Sequence, residues 1–366
     1  MRLHRSVAPL LAAALVFGAA APGVVRASSA SDPLAQAVHG WQERIRSTTP
    51  GDDEAKQARE FAAQYLGHAE RALAAGQRWL ALSRLALVWN LLEAADYRST
   101  IPGELQKQMA GLEREWKRLG PELGPEGAAA ARPDFAGVPA AARAVGEAAW
   151  AEVPVYYGAS LDYGENTAPE YGLYYLGAAR AQLELARLAA RLTDPPPAGA
   201  PLVPRSVAPE LDALEDEVLA AYRPPLSVDA HPVFIRINAL IKAGRELDAQ
   251  GLHHGALYKL LDARMRLSRL QHPGRALDAG EAKRQARQLE KQLAAAKVDA
   301  SLAELFLETA VFSAADPDPA AGGGEVAAAI LADVMPLYVA ALGPAPPRPP
   351  DPEPEAVVTL VRWPYT

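Results

Sequence analysis

A chain of 366 residues is long enough for one large helical domain or two ordinary ones, and with half its residues apolar it can bury a sizeable core. It has no cysteine, which excludes a disulfide framework, zinc–thiolate sites, thiol catalysis and haem attached through cysteine. The net charge of −7 becomes −10 without Arg2, Arg5 and Arg26, so nucleic acid is not an expected partner, because phosphate binding needs clustered positive charge.

Met1 to Ala30 reads as a secretory signal. Arg2, His4 and Arg5 form a positive start, Val7 to Ala21 is apolar, and small residues come next. Cleavage is expected after Ala27 or Ala30, leaving Ser28 or Ser31 at the N-terminus. The apolar run is too short to span a bilayer, and Pro22 with Gly23 interrupts it. The expectation is a periplasmic or secreted bacterial protein with no membrane span in its mature form.

Alanine and leucine dominate the rest of the chain, which favours helix over strand. The expected class is all-α: antiparallel helical hairpins stacked as an irregular repeat-like domain or bundle, with long proline-rich loops and helix above 60% of the mature chain. A first hairpin region spans 31–120. Its helices run from Asp32 to about Ile45, with Ser31 or Asp32 as the cap, from Glu54 to Ala75, and from Gln77 to Tyr97 after a turn at Gly76. Glu104 to Leu119 adds another helix. Proline, glycine and alanine then predict a loop over 121–139, the best boundary in the chain.

The region 140–342 begins with a second hairpin, Ala140 to Tyr163 and Glu170 to Leu192. An exposed linker, 194–204, separates it from a helix over Pro209 to Tyr222. Arg223 to Pro232 is expected to be extended, because proline blocks helix there. From Phe234 onward a helix carries Leu240, Ala243, Gly244 and Leu247 on one face, stops at Gly251, and returns through Ala256, Leu257, Leu260, Leu261, Ala263 and Leu267. Asp278 and Asp299 are placed to cap two further helices. A last helix over Glu325 to Leu342 is expected to bend at Pro336, with a proline-rich tail, 343–366, after it and a strand-like end at Val357 to Arg362.

Leu240, Gly244, Gly251, Ala256, Leu260 and Ala263 stand in the order and spacing of a tetratricopeptide repeat, which this stretch of about thirty residues resembles. Leu247 takes the place of the family's usual aromatic, and Pro273 falls later than its terminating proline. A poorer match runs through Ala69, Gly76, Ala81, Leu85 and Val88, too far upstream to be in tandem. An ordinary helical bundle with glycine turns is the alternative.

Six of the 12 tyrosines fall between Tyr156 and Tyr175, with Glu165 and Glu170 among them. Tyr156, Tyr163, Tyr171, Tyr174, Glu165 and Glu170 are the candidate binding residues, because tyrosine offers a rigid contact surface with a polar tip. The competing reading is that these rings fill a helix crossing. No catalytic residue, metal or cofactor is assigned. HExxH spacing and a GxSxG elbow are lacking, and Gly322 to Gly324 has neither the lysine nor the strand of a phosphate loop. His253 and His254 read as exposed turn residues. Two functions stay open: an interaction or scaffold protein holding a peptide or protein partner in the cell envelope, or a helical enzyme using carboxylates as acid and base on an envelope polysaccharide. The first is preferred, because no acid–base pair stands out.

Overall fold

The computed structural model describes residues 32–47, 53–99, 101–193, 200, 202, 204–223, 229–295, 297–316 and 322–343. The signal segment, most of the turn after the first helix, much of the linker at 194–204, residues 224–228 and the tail with its strand-like end lie outside the described residues. Of the described residues, 81% are helical and none forms a strand. Among the described residues one parallel bridge joins Ala200 to Val298.

Helix α1 (Pro33–Ser47) starts where expected. The Asp32 carboxylate accepts the Leu34 N–H at 3.1 Å and pairs with Arg78 at 2.7 Å, so one residue caps α1 and ties it to the third helix. Helices α2 (Asp53–Ala74) and α3 (Arg78–Ser99) form the first hairpin. Gly76 takes φ +75, and the Gln77 N–H reaches back to the Ala72 carbonyl at 2.8 Å, the left-handed stop that glycine reaches cheaply. Leu80, Leu82, Leu85, Val88, Trp89 and Leu92 are all buried, because α3 is covered on several sides.

After α4 (Gly103–Gln106) the chain departs from expectation. Helix α5 (Met109–Leu123) runs through Pro121, and α6 (Pro125–Ala130) follows after the extended Gly124, so only Gly124 and 131–139 of the expected 121–139 loop are non-helical. The glycines there serve packing. A Cβ on Gly120 would lie 2.9 Å from the Tyr157 hydroxyl, and the missing side chains admit that ring. Pro125 sits in the first turn of α6, where its absent N–H costs nothing.

Helices α7 (Ala140–Asn166) and α8 (Pro169–Ala190) form the long second hairpin. They cross where Gly172 meets Gly164; a Cβ on Gly172 would stand 2.9 Å from the Gly164 Cα. The Ser160 hydroxyl donates to the Gly172 carbonyl at 2.7 Å and accepts the Trp116 indole N–H at 2.8 Å. On the far side, Leu112, Leu119, Leu123, Leu173 and Leu176 form a separate apolar cluster under α5 and α6.

Helix α9 (Ala208–Ala221) precedes the hairpin of α10 (His231–Ala249) and α11 (His253–Gln271). Its turn is as expected: Gly251 takes φ +72 and the Leu252 N–H bonds the Leu247 carbonyl at 2.9 Å. The inward stripe of α10 is Phe234, Ile237, Ile241, Gly244 and Leu247, leaving Leu240 and Ala243 half-buried. The periodicity begins at Phe234, one phase away from Leu240. Pro232 stands in the first turn of α10, not in an extended segment.

Helices α12 (Ala279–Ala295) and α13 (Ser301–Ala314) carry the expected caps, with Asp278 accepting the Glu281 N–H at 2.8 Å and Asp299 the Ser301 N–H at 3.0 Å. The last helix is α14 (Gly323–Ala329), a π-turn over Ile330–Val334, and α15 (Met335–Ala341). The wide turn falls just ahead of Pro336, whose ring would collide with the carbonyl one regular turn back. By length and composition Gly323–Ala341 could cross a membrane, with a mean hydropathy of 1.5, yet half of it is buried against α11 and α13. Its Asp333 accepts the Ser268 hydroxyl at 2.6 Å.

Candidate functional site

The α7–α8 hairpin positions the tyrosines. Because its two backbones touch at Gly164 and Gly172, the inner faces have no room for rings, and the large side chains lie along the flanks. Along α7, Glu152, Val155, Tyr156, Ala159 and Tyr163 recur at spacings of three and four and share one stripe. Tyr171, Tyr174 and Tyr175 do the same on α8.

The two stripes meet at Tyr175. Its ring stacks on Tyr163 (centroids 4.9 Å, 25°) and on Tyr156 (6.3 Å, 24°), and Tyr174 stands edge-on to it at 5.6 Å. Tyr163 is 44% exposed and Tyr171 37% exposed, while Tyr156, Tyr174 and Tyr175 are half-buried. Val155, on the same stripe, is also exposed. The Tyr156 hydroxyl accepts the Asn90 amide at 3.2 Å, bringing α3 to the stack. Leu87, one turn before Asn90, adds another exposed apolar side chain.

Burial pushes the Tyr156 hydroxyl well above the ordinary phenol range, and the nearby Glu152 carboxylate adds to the shift. Burial raises Tyr175 as well, with Tyr163 the next cause. Both are neutral hydrogen-bonding groups at any physiological pH. Of the candidate residues, the structure gathers Tyr156, Tyr163 and Tyr174 around Tyr175. Tyr171 lies one turn before Tyr175. Glu165 is exposed at the end of α7, and Glu170 is half-buried in the first turn of α8, where a negative charge suits the helix end. Tyr157 faces the other way, towards α5.

Sequence reasoning missed Asn90 and the Glu152–Lys259 ion pair (2.7 Å), which joins α7 to α11 one turn from Tyr156. The α7 stripe itself contains the signal for Glu152. Nothing local points to Asn90 or Lys259, which come from other helices.

A second set of polar groups serves a structural role. Carboxylates from one helix cap the N-termini of others, where backbone N–H groups lack partners. Glu147, fully buried on α7, accepts the Gly255 N–H of α11 at 2.8 Å and the Arg143 side chain at 2.7 Å. Asp299 accepts the Ala140 N–H of α7 at 2.6 Å, and Ser301 the next one at 3.0 Å. Glu308 on α13 accepts the Leu80 N–H of α3 at 2.8 Å, and burial pushes its carboxyl up to about 8.

This arrangement overturns one expectation. His254 is buried, not an exposed turn residue: its Nε2 lies 2.9 Å from the Leu202 carbonyl and its Nδ1 3.8 Å from Glu147. Consecutive residues at a helix start point about 100° apart, so one of the pair must face α7. Burial lowers its pKa to about 4, which keeps the ring neutral. His253 is half-buried and meets Asp248 at 2.9 Å. His68 is buried between the rings of Tyr65 and Phe312, and burial, then Arg71 and Arg84, lower it to about 4. Among the described residues no group of three histidine, aspartate or glutamate side chains is placed to hold a metal ion.

No protein family, curated protein or solved structure matches the chain.

Proposed function

We propose that the chain is a helical interaction module that holds an extended peptide segment of a partner protein along the tyrosine face of the α7–α8 hairpin. One observation carries the reading: Tyr163 and Tyr171 keep 44% and 37% of their surface exposed, and the Tyr163 ring is stacked against Tyr175. A ring held in place before binding loses little entropy when a partner covers it, so exposed tyrosines on a rigid support make efficient anchors. Val155 and Leu87 widen the apolar contact, and the Glu152–Lys259 pair and Asn90 supply polar groups at its edge. The tetratricopeptide-like spacing of Leu240 to Ala263 agrees with this role, since stacked hairpins commonly present peptide-binding surfaces. If Met1 to Ala30 directs export, the partner is a protein of the bacterial envelope.

The test is selection of peptides from a displayed random library on the full chain, with calorimetry on the peptides recovered. Wild-type protein should bind selected peptides with aromatic or apolar anchors, and Tyr163→Ala with Tyr171→Ala should weaken binding at least about tenfold, or 1.4 kcal/mol. Peptides that bind the double variant as well as the wild type would place the recognition surface elsewhere.

A further inference from the structure

A second concave site lies on the opposite flank of α8, between α3 and the 131–139 loop. It is a cleft of about 500 Å³, the size of a small-molecule site, lined by Trp89, Pro133, Glu184, Arg187, Ala190 and Arg191. Most of the lining is apolar. Glu184, Arg187 and Arg191 lie on one stripe of α8, at spacings of three and four.

The charges do not cancel. Glu184 is matched by Arg180 at 2.9 Å, and Arg187 meets Glu122 at 2.8 Å in an exposed pair. Arg191, exposed at the end of α8, forms no ion pair among the described residues. The cleft therefore carries a surplus positive charge beside an apolar wall. Beneath it, Glu93 is buried and held by Arg44 at 3.0 Å, so it adds no anion to the open surface.

Trp89 adds an independent observation. Its ring is 8% exposed and packs edge-on against Trp41 at 5.9 Å, yet its indole N–H is buried with no acceptor among the described residues. Buried indole N–H groups are normally paired, because a bare one has given up its hydrogen bond to water without replacing it. A tryptophan in a cleft wall with a spare donor, beside an uncommitted arginine, suits a ligand with a flat apolar body and an anionic end.

We infer that this cleft binds a small planar aryl carboxylate, with the acid group on Arg191 and the ring against Pro133, Ala190 and Trp89. Arg187 lies one turn from Arg191 and reinforces the positive end. The site is distinct from the tyrosine face and does not depend on the peptide-binding reading.

Naphthoate and its neutral counterpart naphthylmethanol are suitable probes, titrated into the full chain and followed by ligand-observed NMR and by the Trp89 indole N–H resonance. Trp89→Phe, which keeps an aromatic ring against Trp41, identifies that resonance by removing it. Naphthoate should bind saturably with a Kd on the order of 1 mM or tighter, as expected for a ligand of this size. It should shift the Trp89 N–H signal, and naphthylmethanol should bind at least about fivefold more weakly, a modest value for one solvent-facing ion pair. Arg191→Gln should bring naphthoate down to the affinity of the alcohol, with folding unaffected at an exposed position. Equal binding of acid and alcohol to the wild type, an unmoved Trp89 resonance, or unchanged naphthoate affinity in Arg191→Gln would each overturn the assignment.

Discussion

The α10–α11 hairpin turns on Gly251, whose φ is +72 and around which an added Cβ would meet nothing within 4 Å. The α7–α8 hairpin crosses on Gly172, an ordinary helical residue whose added Cβ would lie 2.9 Å from the Gly164 Cα and 3.0 Å from the Ser160 carbonyl oxygen. Glycine is used in the first for its torsion and in the second for its missing side chain. The consequences for the surface differ too. In α10–α11 an apolar stripe buries itself in the ordinary way. In α7–α8 the backbones occupy the crossing, and the bulky rings are displaced to the flanks, where Tyr163 and Tyr171 reach solvent.

The largest effect should separate these two uses. Gly172→Val has backbone on its blocked side, which cannot yield as a flexible side chain would, so it should cost about 3 kcal/mol, the upper part of the overpacking range. A shift in the urea midpoint measures this; an unchanged midpoint would mean the crossing is looser than its geometry implies.

The next contrast is in pH dependence. His254 is neutral in the folded protein down to about pH 4 but charges near 6.5 when exposed, so the folded state binds fewer protons in that window. Stability should be intact above pH 6.5 and fall by about 3 kcal/mol as the pH drops towards 4, and His254→Gln should remove part of that loss. Glu308 acts with the opposite sign. Its folded pKa of about 8 lies above the ordinary 4.5, so the folded state holds an extra proton and stability declines as pH rises from 4.5 to 8. Glu308→Gln keeps an acceptor for the Leu80 N–H and should flatten the alkaline side of the profile. Denaturant titrations at a series of pH values decide both, and parallel profiles for wild type and variants would show that neither residue governs the dependence.

Gly251→Ala should cost about 1 kcal/mol, from torsion alone, because there is space for the methyl group. A cost near 3 kcal/mol would erase the distinction from Gly172. The smallest losses should come from Tyr163→Ala and Tyr171→Ala, each within about 1 kcal/mol, since both rings are substantially exposed. Tyr156→Ala, half-buried and bonded to Asn90, should lose clearly more. Thermal unfolding of the three variants ranks them, and equal losses would make the tyrosine stack a core element and not a surface one.

The tyrosine cluster is visible in the sequence as a local concentration, but its division into exposed and packed rings is not. Tyr156 and Tyr157 are neighbours in the chain, yet one turns to Asn90 on α3 and the other to Gly120 on α5. The Trp89 cleft is less legible still: Trp89 has the spacing of an apolar core position, and its wall partners come from α8 and from a loop more than 40 residues away in sequence. The stretch at Gly120 to Ala130 looks like a loop for a related reason. Glycine and proline mark loops only when their neighbours do not explain them; here Gly120 faces the Tyr157 hydroxyl, Gly127 packs on the Pro121 carbonyl, and Pro125 opens a helix.

The features legible from sequence are those that depend on residues within a turn of one another. The 3.6-residue periodicity, the left-handed stops at Gly76 and Gly251, and the caps at Asp32, Asp278 and Asp299 all arise from neighbours a few positions apart. Which carboxylate satisfies which helix end is settled by tertiary packing alone. Glu147 reaches Gly255 across 108 residues, Asp299 reaches Ala140 across 159, and Glu308 reaches Leu80 across 228. A helix N-terminus advertises only that its N–H groups need an acceptor, and which distant side chain supplies it depends on the packing of the whole chain.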